Sequence, residues 1–251
     1  MKKYTFRFAV LMLTASAILT LTSCQDENEL VATKSDPNLD LRVNQNAIAF
    51  PFTAHPYGQS YADWGAAWWE WVVGFTCTTS PIFDPDGSGQ NQNQSGPVFF
   101  LAGNTGGTVF RNVTIPSGKA VFFPINNYLN DYPCPDPNFQ PSPGESLEDF
   151  LTAGATGFID LVDILTVNLD GNDLTNLFSY RATSSMFDFT GNPDLTNCAD
   201  PCITGTEQQG VSDGYWIMLK PLSSGSHTLH FTSGISQWNY LLDITYNITV
   251  E

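Results

Sequence analysis

Residues 240–250, YLLDITYNITV, alternate between apolar and polar from Leu242 to the end of the segment. Tyr240, Leu242, Ile244, Tyr246, Ile248 and Val250 fall on one face, and Asp243, Thr245, Asn247 and Thr249 fall on the other. A side-chain period of two belongs to a strand with one face on a core and one in water. Such a strand needs neighbours and a second layer to cover its apolar face, so the pattern points to a mainly β chain, an antiparallel β-sandwich.

Other segments suit the same architecture. The runs PVFFLAG (97–103), TVFRNVTIP (108–116) and KAVFFPI (119–125) are separated by Asn104-Thr105-Gly106-Gly107 and by Ser117-Gly118. Short apolar runs with glycine turns between them read as hairpins. ILTVNLDGNDLTNL (164–177) reads as a strand, an Asp170-Gly171 turn and a return strand. GYWIMLK (214–220) and HTLHF (227–231) supply two more strands on either side of Ser223-Ser224-Gly225.

Two stretches read as helices packed on this framework. In SYADWGAAWWEWVVGF (60–75), Ser60 and Asp63 form a capping-box start. At 100° per residue Tyr61, Trp64, Trp68, Trp71, Val72 and Phe75 lie within about 100° of arc, the width of a buried face. Trp69 lies off that stripe, so it is the tryptophan of this segment to consider for recognition. The second helix is expected over about 143–156, opened by Pro143 at its first position, with a partly regular stripe of Leu147, Phe150, Leu151 and Phe158 and with Gly154 and Gly157 marking where it frays or ends.

The N-terminus reads as a processing signal. Lys2, Lys3 and Arg7 precede an apolar stretch too short to span a bilayer comfortably. Leu21-Thr22-Ser23-Cys24 resembles a bacterial lipobox, which makes Cys24 the expected lipidated residue and 1–23 a lipoprotein signal peptide. The acidic cluster Gln25-Asp26-Glu27-Asn28-Glu29 resembles the surface-export signal of Bacteroidetes-type lipoproteins, so the expected location is the outer face of the outer membrane. Residues 24–45 then form a polar tether and 46–251 a single domain. Loss of 1–23 removes three of nine Lys and Arg and none of 25 Asp and Glu, leaving six against 25 and a formal charge of −19. Nucleic acid and anionic lipid surfaces are poor partners for such a chain, whose membrane contact is expected through the anchor alone.

Cys77, Cys134, Cys198 and Cys202 form an even set in an exported chain, which favours disulfides. Four cysteines allow three connectivities; the expected one joins Cys198 to Cys202 and Cys77 to Cys134. A zinc site at Cys198 and Cys202 lacks a completing histidine pair. His227 and His230 stand three apart in a strand, on opposite faces, which does not suit a shared ion.

No GxSxG, HExxH, phosphate-binding loop or dinucleotide fingerprint occurs, which removes several large enzyme classes. Asp131, Asp136, Glu145, Glu148 and Asp149 cluster in sequence, and Arg111 and Lys119, on adjacent expected strands, are rare cations in an acidic chain, where a cation could grip an anionic ligand. Trp69, Arg111 and Glu145 are accordingly the candidate ligand-binding residues. FDPDGSGQNQNQSG (83–96) places Asp84, Asp86 and Ser88 at alternate positions, with Gln90 offering a backbone carbonyl, like the first half of a calcium loop. Its twelfth position is Ser95 rather than Glu, so calcium there is expected to be weakly held, and no other cofactor is indicated.

Taken as a set, YGQSYADWGAAWWEW, GPVFFLAG, TIPSGKAVFFPINN, PSPGES and DGYWIMLKPLSSGSHTLHF followed by DITYNITV resemble a family of exported bacterial proteins whose activity is not established. The resemblance covers about residues 56–250 and implies export; it carries over no ligand or catalytic residue. Relatives often have cysteines near the positions of Gly89 and Asn112, where this sequence has none, so no disulfide pairing transfers. The functional expectation is a surface-tethered, non-enzymatic binding or structural lipoprotein for a glycan or protein ligand. The alternative is an extracellular polysaccharide hydrolase or lyase using loop carboxylates.

Overall fold

The computed structural model describes residues 45–251, which form two packed β-sheets with helices against them. Cys24, the signal segment and all but the last residue of the tether lie outside the described residues. The strands are β1 (Val98–Phe100), β2 (Gly107–Ile115), β3 (Ala120–Tyr132), β4 (Ile164–Leu169), β5 (Asn172–Asp173), β6 (Arg181–Thr183), β7 (Phe187–Thr190), β8 (Glu207–Leu219), β9 (Gly225–Ile235) and β10 (Tyr240–Val250). The first sheet has the order β1-β3-β8-β6, with β7 also on β8; the second has β2-β10-β9-β4-β5. Their inner faces meet where Phe123 packs on Phe231, ring centroids 4.8 Å apart, and Asn126 Nδ2 donates to Ser233 Oγ at 2.8 Å.

β10 keeps the alternation read from its sequence, with Leu242, Ile244, Tyr246, Ile248 and Val250 buried. The Asp170-Gly171 turn does join β4 to β5, both residues taking positive φ. The hairpin reading of 97–125 is corrected. β1 pairs in parallel with β3, and β2 pairs in parallel with β10 from Gly107 opposite Leu242 to Ile115 opposite Val250. The turns around Gly106 and Gly118 carry the chain from one sheet to the other and back. A glycine turn specifies a change of direction, not whether the next strand remains in the same layer. The sandwich is therefore antiparallel in its interior with a parallel strand at one edge of each sheet.

Helix α1 (Tyr61–Val72) starts at the expected capping box, Ser60 Oγ accepting from Asp63 N and Asp63 Oδ2 from Ser60 N at 2.9 Å. It lies on the outer face of the first sheet. Trp68 packs at 5.7 Å from Trp216 of β8, and Trp216 stacks on Phe122 of β3 at 5.2 Å. Gly65 permits this approach, because a Cβ there would stand 3.1 Å from the Trp216 ring. The tryptophan stripe is core, as its spacing implies.

Helix α2 (Leu147–Ile159) begins four residues later than expected. Gly144 takes φ 91°, which closes Ser142–Glu145 as a turn, and Ser146 caps the helix by accepting from Asp149 N. Gly154 does not end the helix. The Asn130 side chain occupies the space a Cβ would need and donates to Leu151 O at 3.1 Å, which holds α2 against β3.

Candidate functional site: an aromatic cleft beside β3

Pro124 interrupts β3, and the register with β8 slips between Pro124 and Asn126. Proline has no N–H for the ladder, and the extra residue reverses the face taken by the rest of the strand. Asn126 thus reaches the second sheet, while Asn127 turns away from Ser233 to line a cleft of about 240 Å³. Trp68, Trp69, Val72 and Val73 from α1 and the residue after it form one wall, and Ile82 and Phe83 lie close by. Tyr128, Phe158 of α2 and Tyr240 of β10 supply further aromatic surface, and Leu195, Ala199, Asp200 and Ile203 complete it from the cysteine-bearing loop.

The indole N–H groups of α1 separate its tryptophans by role. Trp64 donates to Pro56 O at 3.0 Å, Trp68 to Leu101 O at 2.9 Å and Trp71 to Gln92 O at 3.1 Å. Trp69 Nε1 is buried and finds no partner among the described residues, and the same holds for Asn127 Nδ2. A buried donor left without an acceptor costs about 1–3 kcal/mol; Ser212 Oγ and Trp216 Nε1 share that status outside the cleft, and Trp69 and Asn127 are the two such residues that line it.

Asp200 lines the cleft, with Asp131 beside it. Their oxygens and Cys202 Sγ lie within 4.8 Å of one another. Cys202 is bridged to Cys134, which leaves two carboxyl groups and no thiolate. Burial, followed by the charge and hydrogen bond of Asp200, pushes the Asp131 carboxyl up to about 7. Gln208 Nε2 opposes this by donating to Asp131 Oδ2 at 2.8 Å. The Tyr128 hydroxyl is raised as well, first by burial and then by the two carboxylates.

A raised acid means that the folded chain binds more protons than the unfolded one between about pH 4 and 7. The stability this group contributes is present below pH 4 and is lost as pH rises through 7. In urea unfolding from pH 4 to 8, the wild type should lose stability relative to Asp131→Asn by about 1 kcal/mol per pH unit at the steepest. Parallel curves for the two proteins would mean that Asp131 ionises normally.

Of the residues singled out from sequence, Trp69 is brought into the cleft and the other two candidates are not. Arg111 is 1% exposed. Its guanidinium donates to Ile82 O, Asp84 O, Ala102 O, Gly103 O and Tyr246 Oη, at 2.8–2.9 Å. Buried and turned to these acceptors of the chain, the guanidinium holds the fold together and does not line the cleft. Glu145 is exposed and accepts from Ser142 N at 2.8 Å within the turn before α2.

In the acidic loop, Asp84 Oδ1 accepts from the backbone N–H of Asp86 and Gly87, and Oδ2 from that of Gly89 and from Gln90 Nε2. Asp86 Oδ1 accepts from Ser88 N, and the Gln90 carbonyl accepts from Gln94 Nε2. Both carboxylate oxygens of Asp84, Oδ1 of Asp86 and the Gln90 carbonyl are therefore directed at N–H donors of the chain.

The disulfides join Cys77 to Cys198 and Cys134 to Cys202, not the expected pairs. Asp194 decides the first by accepting from Cys77 N at 2.9 Å, which sets Cys77 beside the 3-10 turn Pro193–Asn197. Gln208 decides the second, donating to Pro133 O at 3.0 Å and Cys202 O at 2.7 Å. Both disulfides fit an oxidising, extracytoplasmic compartment, and no helix among the described residues is long and apolar enough to cross a membrane.

Sequence reasoning missed Asn127, Tyr128 and Asp200. Pro124 inside an otherwise central strand was the available signal for the bulge that aims Asn127. Nothing local marks Asp200, which reaches the cleft through the cysteine loop. No family model, curated protein or solved structure matches this chain.

Proposed function

We propose that the protein is a non-enzymatic binding module, tethered at the cell surface through a lipid on Cys24, whose ligand occupies the cleft between α1, β3 and the cysteine loop. One observation carries the assignment of the site: Trp69 and Asn127, whose Nε1 and Nδ2 are buried without a partner among the described residues, both line the same cleft. Aromatic walls with a few polar groups are the usual makeup of a small-molecule site. The lipobox-like segment, with the resemblance of the sequence motifs to exported bacterial proteins, motivates the tether and the location. Metabolic labelling with a fatty acid should be lost in Cys24→Ser.

For the cleft, ligand-observed NMR of the full chain against a library of small ring compounds should find binders. Trp69→Phe and Asn127→Ala should each weaken them by about tenfold, the worth of one hydrogen bond to a buried donor. Neither change should lower stability by more than about 1 kcal/mol, because each removes an unsatisfied buried group. Binders that respond to neither substitution would place the site elsewhere.

The alternative, a polysaccharide hydrolase or lyase, draws support from Asp131 and Asp200, one carboxyl raised to about 7 beside a second. On that reading Asp131→Asn and Asp200→Asn abolish release of new chain ends, and Glu145→Gln leaves it intact. A wild type that releases none rejects it.

A further inference from the structure

We infer that the ligand of this cleft is a neutral oligosaccharide, with one sugar ring inside and the chain leaving over an exposed aromatic strip. The inference rests on the cleft being the binding site. Trp69 and Asn127 carry donors without acceptors among the described residues and line, with Asn104 and Thr105, a mostly apolar space, which suits a ligand that presents acceptor oxygens to it. Asp200 lines the same space and can accept, so the ligand should carry donors too. A ring bearing hydroxyl groups at its edge and C–H groups on its face satisfies both demands, because each hydroxyl donates and accepts while the face packs on an aromatic ring.

Charge argues against acidic sugars. The chain carries a formal −16, and Asp200, with Asp131 beside it, lines the cleft. An anionic ligand would meet a like charge, and no Lys or Arg is among the described residues that line the cleft.

The strip outside the cleft gives the ligand its length. Tyr128 and Phe158, which both line the cleft, are stacked at 4.6 Å with their planes 20° apart. Phe158 in turn lies 5.9 Å from Trp238, whose exposure is 54%. Trp238 is therefore an aromatic surface next to the cleft, not part of the core, and exposed aromatics placed together in this way mark contact sites. A single ring would leave Trp238 uncovered; a chain of several would reach it.

The test is titration calorimetry of the full chain with glucose, xylose and mannose and with the four-unit oligomers of glucose (both linkages), xylose and mannose. The four-unit oligomer of galacturonic acid serves as the anionic comparison. At least one neutral oligomer should bind about tenfold or more tightly than its monosaccharide. Trp238→Ala should remove that gain while leaving monosaccharide affinity unchanged, and Trp69→Phe should weaken both. The inference is overturned if no neutral saccharide binds at about 20 mM, if the gain with length survives Trp238→Ala, or if the galacturonate oligomer binds best. Ring compounds that still bind the cleft in a Trp69-dependent way would, in the first case, leave the binding-module reading standing and reject the sugar alone.

Discussion

The double variant Cys77→Ala/Cys198→Ala should lose about 3–5 kcal/mol of stability in urea unfolding, the largest effect expected from any change in this chain outside its core. The bridge spans 121 residues, and the chain-entropy estimate for a loop of that length is about 5 kcal/mol. The second bridge, Cys134 to Cys202, spans 68 residues and interlocks with the first. Each bridge therefore restrains part of the chain closed by the other, so removing one should yield less than the full estimate, while removing both should cost more than the sum of the two single removals. Peptide mapping without reduction should find the pairs 77 with 198 and 134 with 202.

Structure ties this result to the site. Cys198 follows Leu195 and precedes Ala199 and Asp200, all three lining the cleft, so loss of the bridge frees one wall from the end of α1. Cleft ligands should bind more weakly to the double variant even where it remains folded. A loss of under about 1 kcal/mol would mean that the hydrogen bonds of Asp194 and Gln208, and not the covalent bridges, hold the loop.

Arg111→Leu should cost about 3–5 kcal/mol, because it removes donors from a site that water reaches poorly. Four carbonyls, of Ile82, Asp84, Ala102 and Gly103, and the Tyr246 hydroxyl share one guanidinium. Tyr246 is itself fully buried, its hydroxyl pushed up to about 12 by burial, and it donates to Ala102 O at 2.6 Å. The arginine thus ties the acidic loop, the end of the β1 segment and β10 to β2. Ile82, Phe83 and Gly103 line the cleft, which links this contact to the shape of the site.

Arg111→Lys should recover only part of the loss. An ammonium offers three donors from one point, whereas the acceptors are arranged around a planar fork. Equal stability of the lysine variant and the wild type would show that charge alone matters here. Equal stability of the leucine variant would show that water replaces the guanidinium.

Tyr240–Val250 and Tyr61–Val72 were readable residue by residue. Alternation in the first and the Ser60–Asp63 box with its aromatic stripe in the second are rules about neighbours within one turn or one strand. The Asp170-Gly171 hairpin was readable for the same reason, since a two-residue turn closes on itself. Arg111 stands out in the sequence for its rarity, but its partners are carbonyls, which every residue has and no sequence pattern displays. Glu145 stands out for its place near a helix start, and Gly144 moves that start to Ser146.

By itself, then, the sequence determined the mainly β class, the buried face of α1, the outward displacement of Trp69 from that face and the presence of paired cysteines in an acidic chain. Each follows from side-chain period or composition, which act over a few residues or over the whole chain without regard to path. Only the tertiary structure decided that β1 and β2 pair in parallel with β3 and β10, which cysteines meet, and that Trp69, Asn127 and Asp200 share a cleft. Those outcomes depend on which distant segments become neighbours once the layers pack, where a one-residue slip such as that after Pro124 redirects the side chains of the remaining strand.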